Sequence, residues 1–220
     1  MKKKVAAVLL AGVMINSMAL TGCLGGRQET ADTSREESKN GTENGAENET
    51  ETDADQRAAD ETAALIDAIY VQERTEDTDA QCAQAKAAWD ALTDAQKELV
   101  EGEEADPDYF GRDTGDASKD DPRNQDDIGE NEILVVSFGT SFNGSRADDI
   151  KGIEDAIQEA NPDWSVRRAF TAQIIINHVQ ARDGEFIDNM DQALERAVAN
   201  GVKNLVIQPT HLMHGAEYDE

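Results

Sequence analysis

The chain has 220 residues, of which 38% are hydrophobic and 5% aromatic, and it carries a formal net charge of -27 at pH 7. A chain this acidic repels the phosphates of nucleic acids and the head groups of anionic lipids, and its sequence contains no basic stripe that offsets the repulsion. The composition therefore excludes nucleic-acid binding. It also predicts a diffuse attraction for metal cations, which marks no particular site.

The first 22 residues have the pattern of a bacterial lipoprotein signal. Residues 2–4 form a basic region, residues 5–20 are mostly apolar, and Leu20 to Cys23 fits a lipobox. A transmembrane anchor and a secretory signal cut elsewhere are the alternatives, but the apolar run is short for a spanning helix of roughly 20 residues. The pattern predicts lipidation of Cys23, which anchors the mature protein to the bacterial membrane on its extracytoplasmic side.

Residues 23–55 are rich in Glu, Asp, Thr, Ser, Asn and Gly. They contain too few large apolar side chains to offset the entropy of ordering, so we predict a disordered acidic tether. If Cys23 is acylated, Cys82 has no partner for an intramolecular disulfide. We expect Cys82 to be a small buried helix residue, and a reactive or metal-binding thiol is the alternative.

Residues 56–104 change to the apolar spacing of helices. The residues of the two apolar stripes are Leu65, Ile66, Ile69 and Tyr70, and Cys82, Ala85, Trp89 and Leu92. Thr93 to Gln96 has the sequence of a capping box, which predicts a third, short helix. We predict a small antiparallel helical module, in which Trp89 belongs to the core or, alternatively, contacts a ligand. Residues 105–131 are polar and contain Pro and Gly, which predicts a linker.

Residues 132–220 have the pattern of an α/β unit. Apolar or alternating runs predict strands at Ile133 to Val136, Trp164 to Phe170 and Leu205 to Ile207, with helical stripes between them. This order of elements predicts a three-strand parallel sheet with helices. In such a sheet a ligand binds beyond the carboxyl ends of the strands.

Two polar motifs follow the first and third predicted strands. After the first strand come Ser137 to Ser141, in which Gly139 permits close backbone approach, and the hydroxyls and amide hydrogens suit carboxylates or a phosphate. A tight strand-to-helix turn is the alternative. After the third strand come His211, His214 and Glu217, whose imidazole and carboxylate groups suit a borderline metal ion. The alternative for His211 is a hydrogen bond to backbone at the sheet edge.

Arg167 and Arg168 are neighbours on the second predicted strand. Because side chains alternate along a strand, we expect only one of them to face the ligand pocket, where a guanidinium pairs well with carboxylates. An exposed arginine at a strand edge is the alternative.

Three blocks, in this order, resemble the anaerobic sirohydrochlorin cobaltochelatases: Leu134 to Ser141, Arg168 to Ile175 with Arg182 to Gly184 close behind, and Gln208 to His211 leading to Gly215 to Tyr218. The resemblance implies insertion of a divalent metal, most often cobalt, into a tetrapyrrole such as sirohydrochlorin. The metal is then a substrate, and no nucleotide is needed. The contacts to the tetrapyrrole that it implies come from Ser137, Phe138, Gly139, Thr140, Ser141 and Arg168.

The resemblance also implies a two-lobed fold, of which residues 132–220 form the N-terminal half. We expect the catalytic residues in a second α/β half beyond Glu220, so that the chain is a fragment of a longer enzyme. A non-enzymatic tetrapyrrole- or metal-binding surface lipoprotein is one alternative, active as a homo-oligomer that rebuilds the cleft. A structural surface protein, in which the helical module matters most, is the other.

Overall fold

A three-stranded parallel sheet organises the part of the chain that the computed structural model describes, which is residues 51–212, 215 and 218. The strands are β1 (Asn131–Ser137), β2 (Ser165–Phe170) and β3 (Asn204–Pro209). They lie in the order β2-β1-β3, and Val135 in the central strand pairs with Arg168 in β2 and Gln208 in β3. The predicted α/β class and the parallel three-strand sheet are confirmed.

Helices precede the sheet and connect its strands. They are α1 (Glu51–Ile69), α2 (Thr78–Ala91), α3 (Asp94–Lys97), α4 (Asn143–Ser145), α5 (Lys151–Ala160), α6 (Gln173–Asp183) and α7 (Met190–Ala199). A π-helical turn, Arg146–Ile150, joins α4 to α5. The predicted capping box is present at the start of α3, where the Thr93 side chain accepts from the backbone N–H of Gln96.

Helix α1 begins at Glu51, earlier than the predicted boundary at residue 56. Glu51 and Asp53 stand in its first turn, where carboxylates interact favourably with the helix dipole. Residues 1–50 lie outside the described residues, and with them the predicted signal, Cys23 and most of the predicted tether. Among the helices that are described, none combines the length and the apolar character needed to cross a bilayer.

Helices α1 and α2 pack on α6 of the α/β unit. The Asn177 side-chain amide donates to the carbonyl of Ile69 over 2.9 Å, and the Cys82 thiol donates to the carbonyl of Asn177 over 3.6 Å. Cys82 is fully buried, as predicted for a small helix residue, and burial raises the pKa of its thiol to about 11. Trp89 belongs to the same apolar core, together with Ile66 and Ala181. The helical module and the α/β unit therefore share one core.

The polar segment 105–131 also packs against its neighbours. Tyr109 and Phe110 are buried in the core shared with Trp89, and the Tyr109 ring stacks on His178 of α6 at 4.1 Å between centroids. Burial lowers the pKa of His178 to about 4, which keeps the imidazole neutral in this environment. Composition predicts a linker here, and the aromatic pair anchors part of it to α6.

The central strand β1 is covered on both faces, whereas β3 is not. Leu134 and Val136 pack against Ala193 of α7, and Val135 packs with Val166 near α5 on the other face. Strand β3 forms an edge of the sheet, and its apolar residues Leu205, Val206 and Ile207 remain 37%, 45% and 47% exposed. The carboxyl ends of all three strands point to one edge of the sheet, which positions the site described next.

Candidate functional site

A cavity of about 470 Å³ lies at the carboxyl ends of β1 and β3. Its lining residues are Ser137, Phe138, Gly139, Asp149, Ile150, Ile153, Thr210, His211, Leu212 and Gly215. The predicted motifs after β1 and β3 thus meet in one cavity, to which four of the predicted site residues contribute, namely Ser137, Phe138, Gly139 and His211.

Hydrogen bonds tie the three strand ends together beneath this cavity. The hydroxyl oxygens of Ser137 and Thr210 are 2.9 Å apart, which joins the end of β1 to the end of β3. The backbone N–H of Thr171, just after β2, donates to the carbonyl of Ser137 over 3.0 Å, and that of Ala172 donates to the carbonyl of Phe138 over 3.2 Å. The floor of the cavity is therefore a fixed polar surface.

Gly139 allows the chain to turn closely over Phe170. Its φ is +100°, and a Cβ at this position would lie 2.5 Å from the Phe170 ring. Both the backbone angle and the contact exclude a side chain without local rearrangement. The glycine in the predicted motif therefore has a direct steric cause.

Thr140 and Ser141 lie at the far end of the same loop and do not line the cavity. The Thr140 hydroxyl accepts from the backbone N–H of Phe142 over 3.2 Å, which closes a local turn. The Ser141 carbonyl accepts from Arg182 over 2.6 Å and from Arg146 over 3.3 Å. These two residues hold the loop in place from behind the cavity.

His211 stands at the end of β3 between two cavities. Its Nε2 atom lies 3.1 Å from the Thr171 hydroxyl oxygen, and its ring meets the Tyr218 ring edge-on at 6.0 Å. A second cavity of about 240 Å³ lies beside it and is also lined by Thr171, Met190 and Tyr218. The Nδ1 atom is buried and has no hydrogen-bond partner among the described residues.

His214 and Glu217, the other two predicted metal ligands, lie outside the described residues. Within the described part of the chain, no three His, Cys, Asp or Glu side chains are grouped so that they would hold a metal ion. Metal ligation by His211, His214 and Glu217 therefore stays a prediction.

The mouth of the larger cavity is mostly apolar, and the exposed carboxylate of Asp149 also lines it. Phe138, Ile153 and Leu212 are 43%, 48% and 99% exposed, and they line the same cavity as the hydroxyl groups of Ser137 and Thr210. Sites for organic ligands combine predominantly apolar walls with a few placed polar groups. This arrangement suits a flat apolar ligand that carries polar substituents.

Arg168 does not reach the cavity. Its guanidinium donates to Glu154 of α5 over 2.8 Å and to Asp120 over 2.7 Å, and the arginine is fully buried. On the opposite face of β2, Arg167 is equally buried and donates to Glu132 over 2.8 Å. Helix α5 lies on one face of β2 and helix α7 on the other, so both arginines are buried with partners, whereas the alternation had predicted that one of them faces the pocket.

Several residues that line the two cavities were not predicted as site residues, and five of them are polar or lie next to the predicted loop. They are Asp149, Ile150, Ile153, Thr171 and Thr210. The two threonines directly follow β2 and β3, and the rule that ligands bind beyond the carboxyl ends of parallel strands is a signal that points to them. Asp149 and Ile150 belong to the π-helical turn and Ile153 to α5, and all three reach the cavity because this turn places the start of α5 beside the loop after β1. No local sequence pattern predicts the π-helical turn.

A cavity beyond the strand ends of a parallel α/β sheet, with apolar side chains, two hydroxyls and an imidazole in its lining, is the arrangement in which α/β proteins commonly bind organic ligands. Residues 131–220 match the family model described as cobalt chelatase (CbiK). Over 88 residues the chain is 39% identical to the sirohydrochlorin cobaltochelatase of Salmonella typhimurium, an alignment that covers 40% of this chain. The predicted resemblance to the cobaltochelatases is therefore confirmed over residues 131–220.

The match leaves much of both chains uncovered. It spans 33% of the Salmonella relative, so this chain corresponds to about a third of the length of that protein. Helices α1 to α3 and the segment that follows them precede residue 131 and lie outside the family match.

Proposed function

We propose that the protein is a sirohydrochlorin cobaltochelatase-like enzyme, which inserts a divalent metal, with cobalt as the first choice, into a tetrapyrrole without a nucleotide. One observation carries the proposal. The cavity at the carboxyl ends of β1 and β3 is built entirely from residues that belong to the cobalt chelatase match.

The chemistry of the lining residues supports a tetrapyrrole as the ligand. Phe138 and Ile153 offer apolar surface for the face of a macrocycle, and the hydroxyls of Ser137 and Thr210 offer hydrogen bonds to its carboxylate substituents. The acidic net charge of -27 concentrates divalent cations near the protein in a diffuse way.

Metal insertion requires the loss of two pyrrole protons and the transfer of an ion to the ring nitrogens, which calls for a base or a metal-passing ligand. His211 is the group we assign to this role. Its Nδ1 atom is buried and has no hydrogen-bond partner among the described residues, so no hydrogen bond within this part of the chain competes with a proton or an ion for this nitrogen.

The test is anaerobic metal insertion followed by absorbance. The chain is mixed with sirohydrochlorin and Co²⁺, and the decay of the metal-free spectrum is compared with that in protein-free solution. We expect faster conversion with the parent chain and a rate at least about 100-fold lower with His211→Ala, the scale of a lost acid–base group. Conversion at the protein-free rate contradicts the proposal.

Tetrapyrrole binding without metal insertion is the second candidate. The apolar mouth formed by Phe138, Ile153 and Leu212 favours it, because these side chains bind a macrocycle without taking part in proton transfer. Saturable pigment binding together with insertion at the protein-free rate would support this candidate.

We propose, in addition, that the protein is exported and anchored to the membrane through lipid on Cys23. The lipobox pattern of Leu20 to Cys23 supports this. Cells are fed an alkyne-tagged fatty acid, and label is expected on the parent chain and on Cys82→Ala but not on Cys23→Ala. Label on none of the three, or on all of them, contradicts acylation at Cys23.

A further inference from the structure

A short segment that precedes the family match forms hydrogen bonds with residues 143 and 144, which follow the loop after β1. We call residues 114–120 the strap. The backbone N–H of Gly144 donates to the carbonyl of Thr114 over 2.7 Å, and the Asn143 side-chain amide donates to the carbonyl of Gly115 over 3.3 Å. Through these bonds the first end of the strap holds the start of α4.

Only glycine fits at the closest point of this contact. Gly115 has a φ of +105°, and a Cβ there would lie 2.8 Å from the backbone nitrogen of Gly144. Gly129 provides a comparison, because its φ is +86° and a Cβ there would meet nothing within 4 Å. The two glycines share the unusual backbone angle, but only Gly115 also needs the space.

The second end of the strap is an ion pair. The side chains of Asp120 and Arg146 are both fully buried, and the Arg146 Nε donates to Asp120 over 3.0 Å. Asp120 also accepts two hydrogen bonds from Arg168, of 2.7 and 2.9 Å. Although burial alone raises the pKa of Asp120, these arginines hold it below its usual value, so the carboxylate stays charged.

Arg146 connects this ion pair to the cavity wall. It is the first residue of the π-helical turn, and two further residues of that turn, Asp149 and Ile150, line the cavity. Arg146 also donates to the carbonyl of Ser141, where the loop after β1 ends. Single π-helical turns occur frequently at functional sites. This one begins at Arg146, whose side chain forms an ion pair with Asp120 of the strap.

We propose that the strap is a positioning element of the tetrapyrrole site, and that Gly115, Asp120 and Arg146 are positioning residues that fix residues 137–150 around the ligand. The identity of the ligand rests on the proposed function, whereas the positioning of residues 137–150 by the strap rests on the contacts described above. It assigns a role at the site to part of the chain that lies outside the cobalt chelatase match.

The experiment compares Gly115→Ala with Gly129→Ala in the full chain. Amide hydrogen exchange of residues 137–150 is measured without ligand, and sirohydrochlorin affinity is measured by absorbance titration. We expect faster exchange and at least about tenfold weaker binding in Gly115→Ala, because displacement of a positioning loop by about 1 Å has effects of this size or larger. Gly129→Ala should match the parent in both measurements.

A second variant covers the case in which Gly115→Ala does not fold. The Asn143 side-chain oxygen accepts a hydrogen bond from the Arg182 guanidinium over 3.0 Å, and Asn143→Asp retains an oxygen at this position. The substitution removes the side-chain N–H group that donates to the carbonyl of Gly115. It should show the same two changes, and thermal melting establishes that each variant is folded.

The two readouts separate the inference from the proposed function. Exchange rates of Gly115→Ala and Asn143→Asp equal to that of Gly129→Ala would overturn the positioning role whether or not pigment binds. Faster exchange with unchanged pigment affinity would overturn its connection to the ligand. A parent chain that binds no sirohydrochlorin refutes the proposed function, while the exchange comparison still decides whether the strap positions the loop.

Discussion

The Nε2 atom of His211 lies 3.1 Å from the hydroxyl oxygen of Thr171, so a side chain that follows β3 is tied to one that follows β2. Strands β2 and β3 are not neighbours in the sheet, because β1 lies between them. A hydrogen bond to one ring nitrogen fixes the orientation of an imidazole. Thr171 is thus placed to determine how His211 faces the two cavities.

Replacing Thr171 by valine should impair the site while leaving the fold intact. Valine keeps the shape of threonine but leaves the Nε2 atom of His211 without its partner, whereas Thr171→Ser retains the hydroxyl. We expect metal insertion to slow at least about tenfold in Thr171→Val, which corresponds to about 1.4 kcal/mol. Equal insertion rates in Thr171→Val and Thr171→Ser would argue against an orienting role.

Gly139→Ala should lower the free energy of unfolding by about 1–3 kcal/mol, because it combines an unfavourable backbone angle with a contact to the Phe170 ring. Gly152→Ala is the matched control. A Cβ at Gly152 meets nothing within 4 Å, and alanine in a helix is favoured over glycine by about 0.5–1 kcal/mol. Denaturant unfolding measures both, and similar values for the two variants would contradict the close approach over Phe170.

Asp120→Asn should destabilise the protein by about 3–5 kcal/mol, because it removes the negative charge that pairs with the buried guanidinium groups of Arg146 and Arg168. Asp108→Asn removes a carboxylate from an exposed pair with Arg112, in which the side chains are 65% and 54% exposed, and should cost less than about 1 kcal/mol. Chemical denaturation that finds equal losses would show that the cluster around Asp120 is not buried as described.

The same substitution should change the response to acid. The folded-state pKa of Asp120 is lowered, so its contribution to stability is fully present above the ordinary carboxyl pKa of about 3.9 and is lost as pH falls through the folded value. Burial raises the pKa of Glu154 in the same cluster, which acts in the opposite direction. Between about pH 5 and pH 3 the parent should therefore lose more stability than Asp120→Asn. Parallel pH profiles would contradict the charged state of Asp120.

Exposure of β3 predicts self-association of the purified chain. Leu205, Val206 and Ile207 are between 37% and 47% exposed on a strand at the sheet edge, and such edges pair with other chains unless charges oppose it. Val206→Lys places a charge on this strand and should shift the sedimentation profile toward monomer. A parent chain that already sediments as a monomer would refute this prediction.

The sheet was predictable because each of its strands coincides with a local run of apolar or alternating residues. Residues 133–136 read as a buried strand, and the helices between the strands require a parallel order, which the structure confirms. The polar segment 105–131 was not predictable in the same way. Tyr109 stacks on His178, and Asp120 pairs with Arg168. Because these partners are distant in the sequence, no local pattern indicates the contacts.

The candidate site was predictable in part for the same reason. Ser137, Gly139 and His211 lie at the carboxyl ends of β1 and β3 or within two residues of them, and the parallel order alone brings them to one edge of the sheet. The position of Arg168 was not, because the alternation of a strand assigns a face without saying what covers it. Glu154 and Asp120 cover that face and pair with the guanidinium, so Arg168 belongs to the support of the sheet.

The most direct test of the central claim is equilibrium binding of sirohydrochlorin to the parent chain and to two surface variants, measured anaerobically by absorbance. Ile153→Asp places a carboxylate at the mouth of the cavity, where it repels the carboxylate substituents of the tetrapyrrole, whereas Val198→Asp makes the same change on α7 at a residue that is 81% exposed and does not line the cavity. We predict saturable binding by the parent and by Val198→Asp, and binding at least about tenfold weaker by Ile153→Asp, a difference of about 1.4 kcal/mol. Absence of saturable binding by the parent, or equal affinities in all three proteins, would contradict a tetrapyrrole site at the carboxyl ends of β1 and β3.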